Sequence, residues 1–200
     1  MGVISNGTTL IDNGALDPAV PSGSLILLST QTASASANIS FTSGIDSTYD
    51  FYVFEYISIH PATDGADLEF NMSTDGGSNY NVTKTTTFVR VQHNEADFDT
   101  GLLYMTSLDL AQSTSFQKLT EDTGNNNDQS LSGSISIFNP SSTTYVKHFI
   151  SNSQGSKDAD YSIQSLVAGY GNTTSAVNAI RFQMSTGNID AGTIKMYGIA

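Results

Sequence analysis

Two acidic stretches carry the side chains best suited to hold an ion. In one stretch the oxygen donors are Asp122, Asn125, Asn127 and Asp128, and in the other they are Glu95, Asp97 and Asp99. Carboxylate and amide oxygens are the ligands that Ca²⁺ prefers, although neither stretch has the spacing of an EF-hand loop. Residues 122–128 are therefore interpreted as a solvated acidic loop or as a Ca²⁺ site, and no other cofactor is predicted.

Residues that could act as nucleophile and base are widely separated. The histidines are His60, His93 and His148, and no Gly-x-Ser-x-Gly elbow is present. A hydrolase needs a nucleophile beside an activating base, or a pair of carboxylates that flank the scissile bond. The sequence offers neither pattern, so it predicts a protein that is not an enzyme and assigns no catalytic residue.

The stretch from Ser73 to Tyr80 resembles the Asp-box of sialidases and other β-propellers. The matching residues are Ser73, Asp75, Gly77 and the closing aromatic Tyr80. In such a turn the aspartate accepts backbone N–H bonds and the aromatic ring packs inward. The box repeats once per blade in propellers but occurs once here, and two arginines cannot supply the arginine cluster of a sialidase. The motif is interpreted as a structural turn.

Alternating apolar residues place this turn between two strands. Leu68, Phe70 and Met72 alternate with polar residues, which is the period-2 pattern of a half-buried strand. A second β-rich run follows Asp75-Gly76-Gly77, so the stretch 67–92 predicts a β-hairpin.

The segment from Tyr49 to Ile59 is apolar on both sides. Phe51, Val53, Glu55, Ile57 and Ile59 share one side, and Tyr52, Phe54 and Tyr56 share the other. This pattern predicts a central strand that is covered on each face, with Tyr52, Phe54 and Tyr56 as candidate contacts to another subunit.

The remaining segments favour one all-β domain. Eight to ten short strands separated by Gly, Asn, Asp and Pro are typical of a sandwich or barrel. We predict a single-domain antiparallel β-sandwich of the jelly-roll type over residues 23–200. Residues 1–22 are rich in turn formers and predict an N-terminal arm, either loosely ordered or a tether anchored by Leu10, Ile11 and Leu16.

Composition excludes several partner classes. The formal charge of −12 disfavours nucleic acid, which requires clustered Lys and Arg, and disfavours anionic membrane surfaces. No run is apolar enough to span a membrane, and residues 1–5 lack the features of a signal peptide. The chain has no cysteine, so it has neither disulfides nor thiolate metal sites.

Several phrases resemble a family of small virion structural proteins of marine tailed bacteriophages (cyanophage- or pelagiphage-like). The phrases are residues 28–36, 57–64, 73–80, 110–114 and 192–199, which span the chain from about residue 24. The resemblance implies a β-sandwich located in the virion, assembled in the host cytoplasm and released by lysis, and it carries over no catalytic residue.

Two functions are compatible with these features. The first is a capsid decoration or cement protein on the head exterior, a homo-oligomer with a trimer favoured, which contacts the major capsid protein or a tail protein. The alternative is a tail fibre or receptor-binding module that grips host surface glycans through tyrosines and the loops of residues 93–131.

Overall fold

The computed structural model describes residues 3–5, 8–12, 15–16, 25–157 and 160–199. These residues form strands and connections without a helix. The strands in chain order are β1 Val3–Ser5, β2 Thr8–Asp12, β3 Ala15–Leu16, β4 Leu25–Thr32, β5 Ile39–Phe41, β6 Phe51–Pro61, β7 Leu68–Ser73, β8 Lys84–Asn94, β9 Thr100–Tyr104, β10 Gln117–Lys118, β11 Leu131–Phe138, β12 Lys147–Lys157, β13 Tyr161–Gly171, β14 Ala179–Met184 and β15 Ile189–Ile199.

Two antiparallel sheets pack face to face. The larger has eight strands in the order β4-β15-β6-β11-β12-β13-β8-β9, and the smaller has four in the order β10-β7-β14-β5. The chain passes repeatedly from one sheet to the other, for example between β5 and β6 and between β13 and β14. The predicted all-β antiparallel sandwich is confirmed. Its twelve strands exceed the eight to ten predicted because a strand as short as β10 carries no periodic signal.

The core lies between the sheets and is built around Phe182 of β14. Its ring centroid lies 5.6 Å from that of Phe54 and 6.5 Å from that of Phe70, and Phe70 makes an edge contact with Phe149 at 5.0 Å. These side chains are fully buried or nearly so. Burial of each ring contributes about 1.5–3 kcal/mol, so this cluster is a main source of the sandwich's stability.

A small polar network is enclosed in the same core. The hydroxyl of Tyr56 is hydrogen-bonded to Ser151 Oγ at 2.9 Å and also to Ser153 Oγ. Burial raises the pKa of Tyr56 to about 12. Gly133 on β11 makes room for this ring, since a Cβ there would lie 2.8 Å from Tyr56 Cε2.

The predicted hairpin of residues 67–92 is wrong in its pairing. β7 pairs with β14 and β10 in the small sheet, whereas β8 pairs with β13 and β9 in the large one. The connection is therefore an arch between sheets. Alternation identifies a half-buried strand but not its partner, and residues 74–83 are longer than the two to five residues typical of a hairpin loop.

Candidate interaction surface

The outer face of the eight-stranded sheet, which points away from the small sheet, carries a run of apolar side chains. We call this set the apolar band; its members are Leu25, Leu27, Phe51, Val53, Val89, Val91, Leu102, Tyr104, Phe138, Ile150, Leu166, Ala168, Tyr170, Tyr197 and Ile199. Antiparallel sheets with one face on a core usually present polar residues on the other. This sheet departs from that rule.

Strand register arranges much of the band in rows across the sheet. One row across the sheet runs from Leu25 through Ile199 to Phe51, because these residues are paired in register. Phe138 follows on β11, and its ring stacks on that of Phe51 with centroids 5.5 Å apart. The adjacent row begins with Leu27, Tyr197 and Val53 in the same way.

The band also reaches the opposite edge of the sheet. Leu166 on β13 is paired with Val89 on β8, and Val89 is paired with Tyr104 on edge strand β9. Ile150 and Leu102 are 57% and 73% exposed. Single exposed apolar residues are ordinary, but a set of this extent on one face is typical of an interaction site.

A shallow depression of about 410 Å³ lies within the band. Phe138, Ile150 and Tyr170 form its apolar walls. It exists because Ala168 is small and is paired in register with Ile150 on one side and Thr87 on the other. The ring of His148 lies 6.2 Å from that of Tyr170 at its rim. The depression can accept a side chain from a protein partner.

Charges are sparse beside the band. Glu55 and Lys195 are paired in register on the outer face, so one acid and one base stand next to each other. At the edge of the band, the hydroxyl of Tyr104 donates to Asp109 Oδ2 at 2.7 Å. The chain as a whole carries a formal charge of −12. The acids therefore lie mostly elsewhere, and contact through this face brings few like charges together.

The predicted subunit contacts on β6 are wrong. Tyr52, Phe54 and Tyr56 are fully buried in the core of the same chain. The exposed side of β6 is the other one, which carries Phe51, Val53 and the half-exposed Ile57. Because both sides of the strand are apolar, periodicity alone does not tell which faces inward. The one charged residue, Glu55, lies on the same side as Phe51 and indicates that this side faces outward.

Among the described residues, the strands of the N-terminal arm pair only with one another. β1, β2 and β3 form a three-stranded antiparallel sheet of their own, in which Ile11 is paired with Leu16. Leu10 lies on β2. The side chains of Leu10, Ile11 and Leu16 fall outside the described part of the structure, so their role as attachment anchors stays a prediction.

The predicted turn residues are brought together as expected. Ser73 Oγ donates to Asp75 Oδ1 at 2.6 Å and accepts from the backbone N–H of Gly77 at 3.0 Å. Asn79 donates its backbone and side-chain N–H groups to the Asp75 carboxylate at 2.9 and 2.7 Å. These bonds lower the pKa of Asp75 to about 2, with Ser73 the largest cause. Gly76 and Gly77 adopt φ of 72° and 90°, which a turn of this kind requires.

Tyr80 closes the turn by packing under a cation. The Arg181 guanidinium lies 4.1 Å from the centre of its ring. Its hydroxyl is buried and has no hydrogen-bond partner among the described residues. The stacking holds the arch against β14 of the small sheet.

Among the candidate Ca²⁺ ligands, the Asp122 carboxylate is engaged in an ion pair. Asp122 Oδ2 accepts from Lys157 Nζ at 2.5 Å, and the backbone N–H of Asn125 donates to Asp64 Oδ1 at 3.1 Å. Asn127 and Asp128 line a separate surface depression. In the described ranges, no three His, Cys, Asp or Glu side chains converge on a point where a cation could bind.

The histidines are dispersed as the sequence indicated. His60 Nε2 lies 3.2 Å from the carbonyl oxygen of Asn126, His93 Nε2 lies 3.0 Å from Asp97 Oδ1, and His148 belongs to the outer face of β12. A polar depression of about 620 Å³ lies at the end of the large sheet opposite the Phe51 row, and its lining includes Asn126, Gln154 and Tyr161. Amides and a tyrosine are suited to hydrogen-bonding sugar hydroxyls.

No protein-family model, no curated protein and no solved structure matches this chain. Among the described residues, no helix has the length and apolar character needed to cross a membrane.

Proposed function

We propose that this chain is a non-enzymatic virion structural protein that decorates or cements the exterior of a bacteriophage capsid. The observation that carries the proposal is the apolar band on the outer face of the eight-stranded sheet. A surface of this kind supports a binding or assembly role, because exposing it to water is unfavourable unless a partner covers it. The resemblance of residues 28–36 and 192–199 to phage virion proteins supports the location.

The band is proposed to be the contact between copies in a closed homo-oligomer, with a trimer favoured. Few charges lie beside it, so acidic copies can approach through this face. A closed ring repeats the same pair of surface patches in every contact and leaves none uncovered. The arm of residues 1–22 is proposed as the tether to the capsid or tail protein.

The proposal is tested on virions and on the isolated protein. Deletion of residues 1–22 is expected to remove the protein from particles while circular dichroism and thermal melting of the remaining sandwich stay unchanged. The intact protein is expected to sediment as an oligomer. Unchanged particle occupancy after the deletion excludes the tether, and a monomer at high micromolar concentration excludes assembly through the band.

A glycan-binding tail protein is the second candidate. The polar depression lined by Asn126, Gln154 and Tyr161 favours it. A glycan array probed with the oligomeric protein separates the two functions, and cryo-electron microscopy of the virion gives the location on head or tail. Absence of glycan binding at high micromolar protein counts against this candidate.

A further inference from the structure

Two lysines, Lys84 and Lys147, have fully buried side chains. An ammonium group in such a place loses its hydration, which favours the neutral amine. Burial lowers the pKa of Lys84 to about 7, an effect that the charge of Glu69 partly offsets. Burial also lowers the pKa of Lys147. A neutral lysine amine is a nucleophile, whereas the ammonium form is not.

The two lysines donate hydrogen bonds to different kinds of acceptor. Lys147 Nζ donates to the backbone carbonyl oxygens of Tyr145 and Thr173 at 2.7 and 3.3 Å. Lys84 Nζ donates to the backbone carbonyl oxygen of Val82 at 2.8 Å and to the side-chain Oδ1 of Asn71 at 2.6 Å. The Lys84 amine therefore lies beside a carboxamide, which an amine can attack.

Asn71 is fully buried and held on every polar atom. Its Nδ2 donates to the carbonyl oxygens of Tyr80 and Thr114 at 2.7 and 2.9 Å. Its Oδ1 also accepts from the backbone N–H of Met72 at 2.8 Å. This N–H group is placed to stabilise negative charge on Oδ1, as an oxyanion-hole donor does.

The Lys84 amine and the Asn71 carboxamide are close together and shielded from water. The approach of Nζ to Oδ1 puts the amine next to the carbon to which that oxygen is bonded, and a rotation about the last side-chain bonds of Lys84 turns it toward that carbon. Holding two reacting groups in contact removes much of the entropic barrier to their reaction. Both side chains are inaccessible to water, so hydrolysis does not compete.

We propose that Lys84 and Asn71 react to form an intramolecular isopeptide cross-link. A bond forms between Nζ and the carboxamide carbon of Asn71, and the bond from that carbon to Nδ2 breaks. The amine gives up one proton, which is transferred to Nδ2, and Nδ2 leaves as ammonia. No oxidant, reductant or cofactor takes part.

Glu69 is assigned as the group that carries this proton. It lies two residues before Asn71 on β7, on the same side of the strand, and interacts electrostatically with Lys84. Burial raises the pKa of Glu69, and a hydrogen bond from Gln183 Nε2 at 2.8 Å orients its carboxyl. A carboxyl group with a raised pKa can both accept and return a proton.

The cross-link would join the two layers of the sandwich. Asn71 belongs to the small sheet and Lys84 begins β8 of the large sheet, so the bond closes the arch that carries the Asp75 turn. A chain without cysteine would gain a covalent tie that reducing agents cannot break. This inference does not depend on the apolar band or on a virion location.

Mass spectrometry of the folded full-length protein tests the inference directly. The intact mass is expected to be lower than the sequence mass by about 17 Da, the mass of one ammonia. Cleavage on the amino side of aspartate cuts before Asp75 and separates Asn71 from Lys84 in sequence. A branched peptide that still contains both residues is the expected product, and trypsin is expected not to cut after Lys84. A wild-type protein with full mass and linear peptides overturns the proposal.

Variants distinguish the cross-link from other reactions that release ammonia. Succinimide formation at Asn6-Gly7 or Asn13-Gly14 gives the same mass change, but it would persist in Lys84→Arg and Asn71→Ala. Those two variants are expected to keep the full mass, while Lys147→Arg, the matched buried lysine, is expected to retain the loss. A loss that survives in Lys84→Arg excludes the cross-link, and the wild-type branched peptide decides the question if a variant does not fold.

Glu69→Gln tests the proton carrier. Both the variant and the wild type are recovered in the unfolded, uncross-linked state and then refolded. The variant is expected to lose ammonia about 100-fold more slowly than the wild type, which is the typical contribution of a positioned acid–base group. A rate equal to that of the wild type overturns the assignment of Glu69.

Discussion

The outer faces of the two sheets differ in how their side chains are satisfied. On the small sheet, Gln183 donates to Glu69 at 2.8 Å and Arg181 Nε donates to Ser40 Oγ at 2.9 Å. On the large sheet the apolar band lies open, with Leu27 53% exposed. Both faces belong to half-buried antiparallel strands. The polar side chains of the small sheet are hydrogen-bonded within the chain, whereas the large sheet leaves apolar side chains exposed to solvent. The small sheet is therefore the structural face, and the large sheet is the face that we propose for partners.

The largest effect is expected from a charge placed in the apolar band. Ile150→Asp would bury an unpaired carboxylate in any contact made through this face, which is costly. We expect the dissociation constant of the oligomer to rise about 100-fold, or about 2.7 kcal/mol, with little change in the melting temperature of the subunit. Analytical ultracentrifugation measures the former and calorimetry the latter.

A control on the same strand makes this test specific. Gln154→Glu adds the same charge to the outer face of β12, outside the band. Its oligomer is expected to keep the wild-type affinity. Equal weakening by both substitutions would point to overall charge repulsion instead of the band, and no weakening by Ile150→Asp would remove the distinction between the two faces.

A moderate effect is expected from the hydrogen bonds of the small sheet. Gln183→Ala leaves the half-buried Glu69 carboxyl without its donor, so the free energy of unfolding is expected to fall by about 1 kcal/mol. On the large sheet, Gln164 Nε2 makes a comparable bond to Asn152 Oδ1 at 3.0 Å, but on an exposed surface. Gln164→Ala is expected to change stability by less than about 0.5 kcal/mol. Equal losses in urea titrations would show that the two faces are built alike.

The smallest effect is expected at the turn that connects the two sheets. Asp75→Ala removes the bonds to Ser73 and Asn79 and is expected to lower the melting temperature by about 2 °C. The hydrogen bonds from Ser73 and Asn79 lower the pKa of Asp75 from its ordinary value of 3.8 to about 2 in the folded protein, so the unfolded state binds more protons between these values. The contribution of Asp75 is therefore present above about pH 4 and lost as the pH falls through about 2.

Melting curves of the wild type and Asp75→Ala between pH 2 and pH 6 provide the measurement. The difference in melting temperature is expected to shrink toward the acid end of this series. Asp128→Ala, at an exposed aspartate in another loop, serves as the control for general acid effects. A difference that stays constant with pH would mean that the carboxylate of Asp75 does not stabilise the turn.

Local features of this fold could be predicted from the sequence, whereas pairing and orientation could not. Alternation located β7, and the residue types at Ser73, Asp75 and Gly77 identified the turn, because both signals depend on neighbours in the chain. The partner of β7 is β14, more than a hundred residues away, and no local pattern encodes that choice. The same holds for β6, whose Tyr52 side became core only because Phe182 and Phe41 pack near it.

The candidate sites show the same contrast between local signals and long-range contacts. Asp122 and Asn125 look like ligands in sequence because oxygen donors cluster there, but Lys157 and Asp64 reach them from distant segments. Lys84 and Asn71 could not be recognised as a pair in the sequence, since thirteen positions separate them and nothing local indicates that both are buried. The apolar band could be recognised only after the register had aligned eight strands.

The position of β4 has a mechanical consequence. β4 lies at the edge of the large sheet and pairs with β15, and the arm of residues 1–22 leads into its first residue, Leu25. A pull exerted on this end across the strand axis would break its backbone hydrogen bonds one after another, as in unzipping. Such peeling needs less force than shearing all of them at once. Under load, β4 would detach first, and the aromatic core around Phe182 would remain closed.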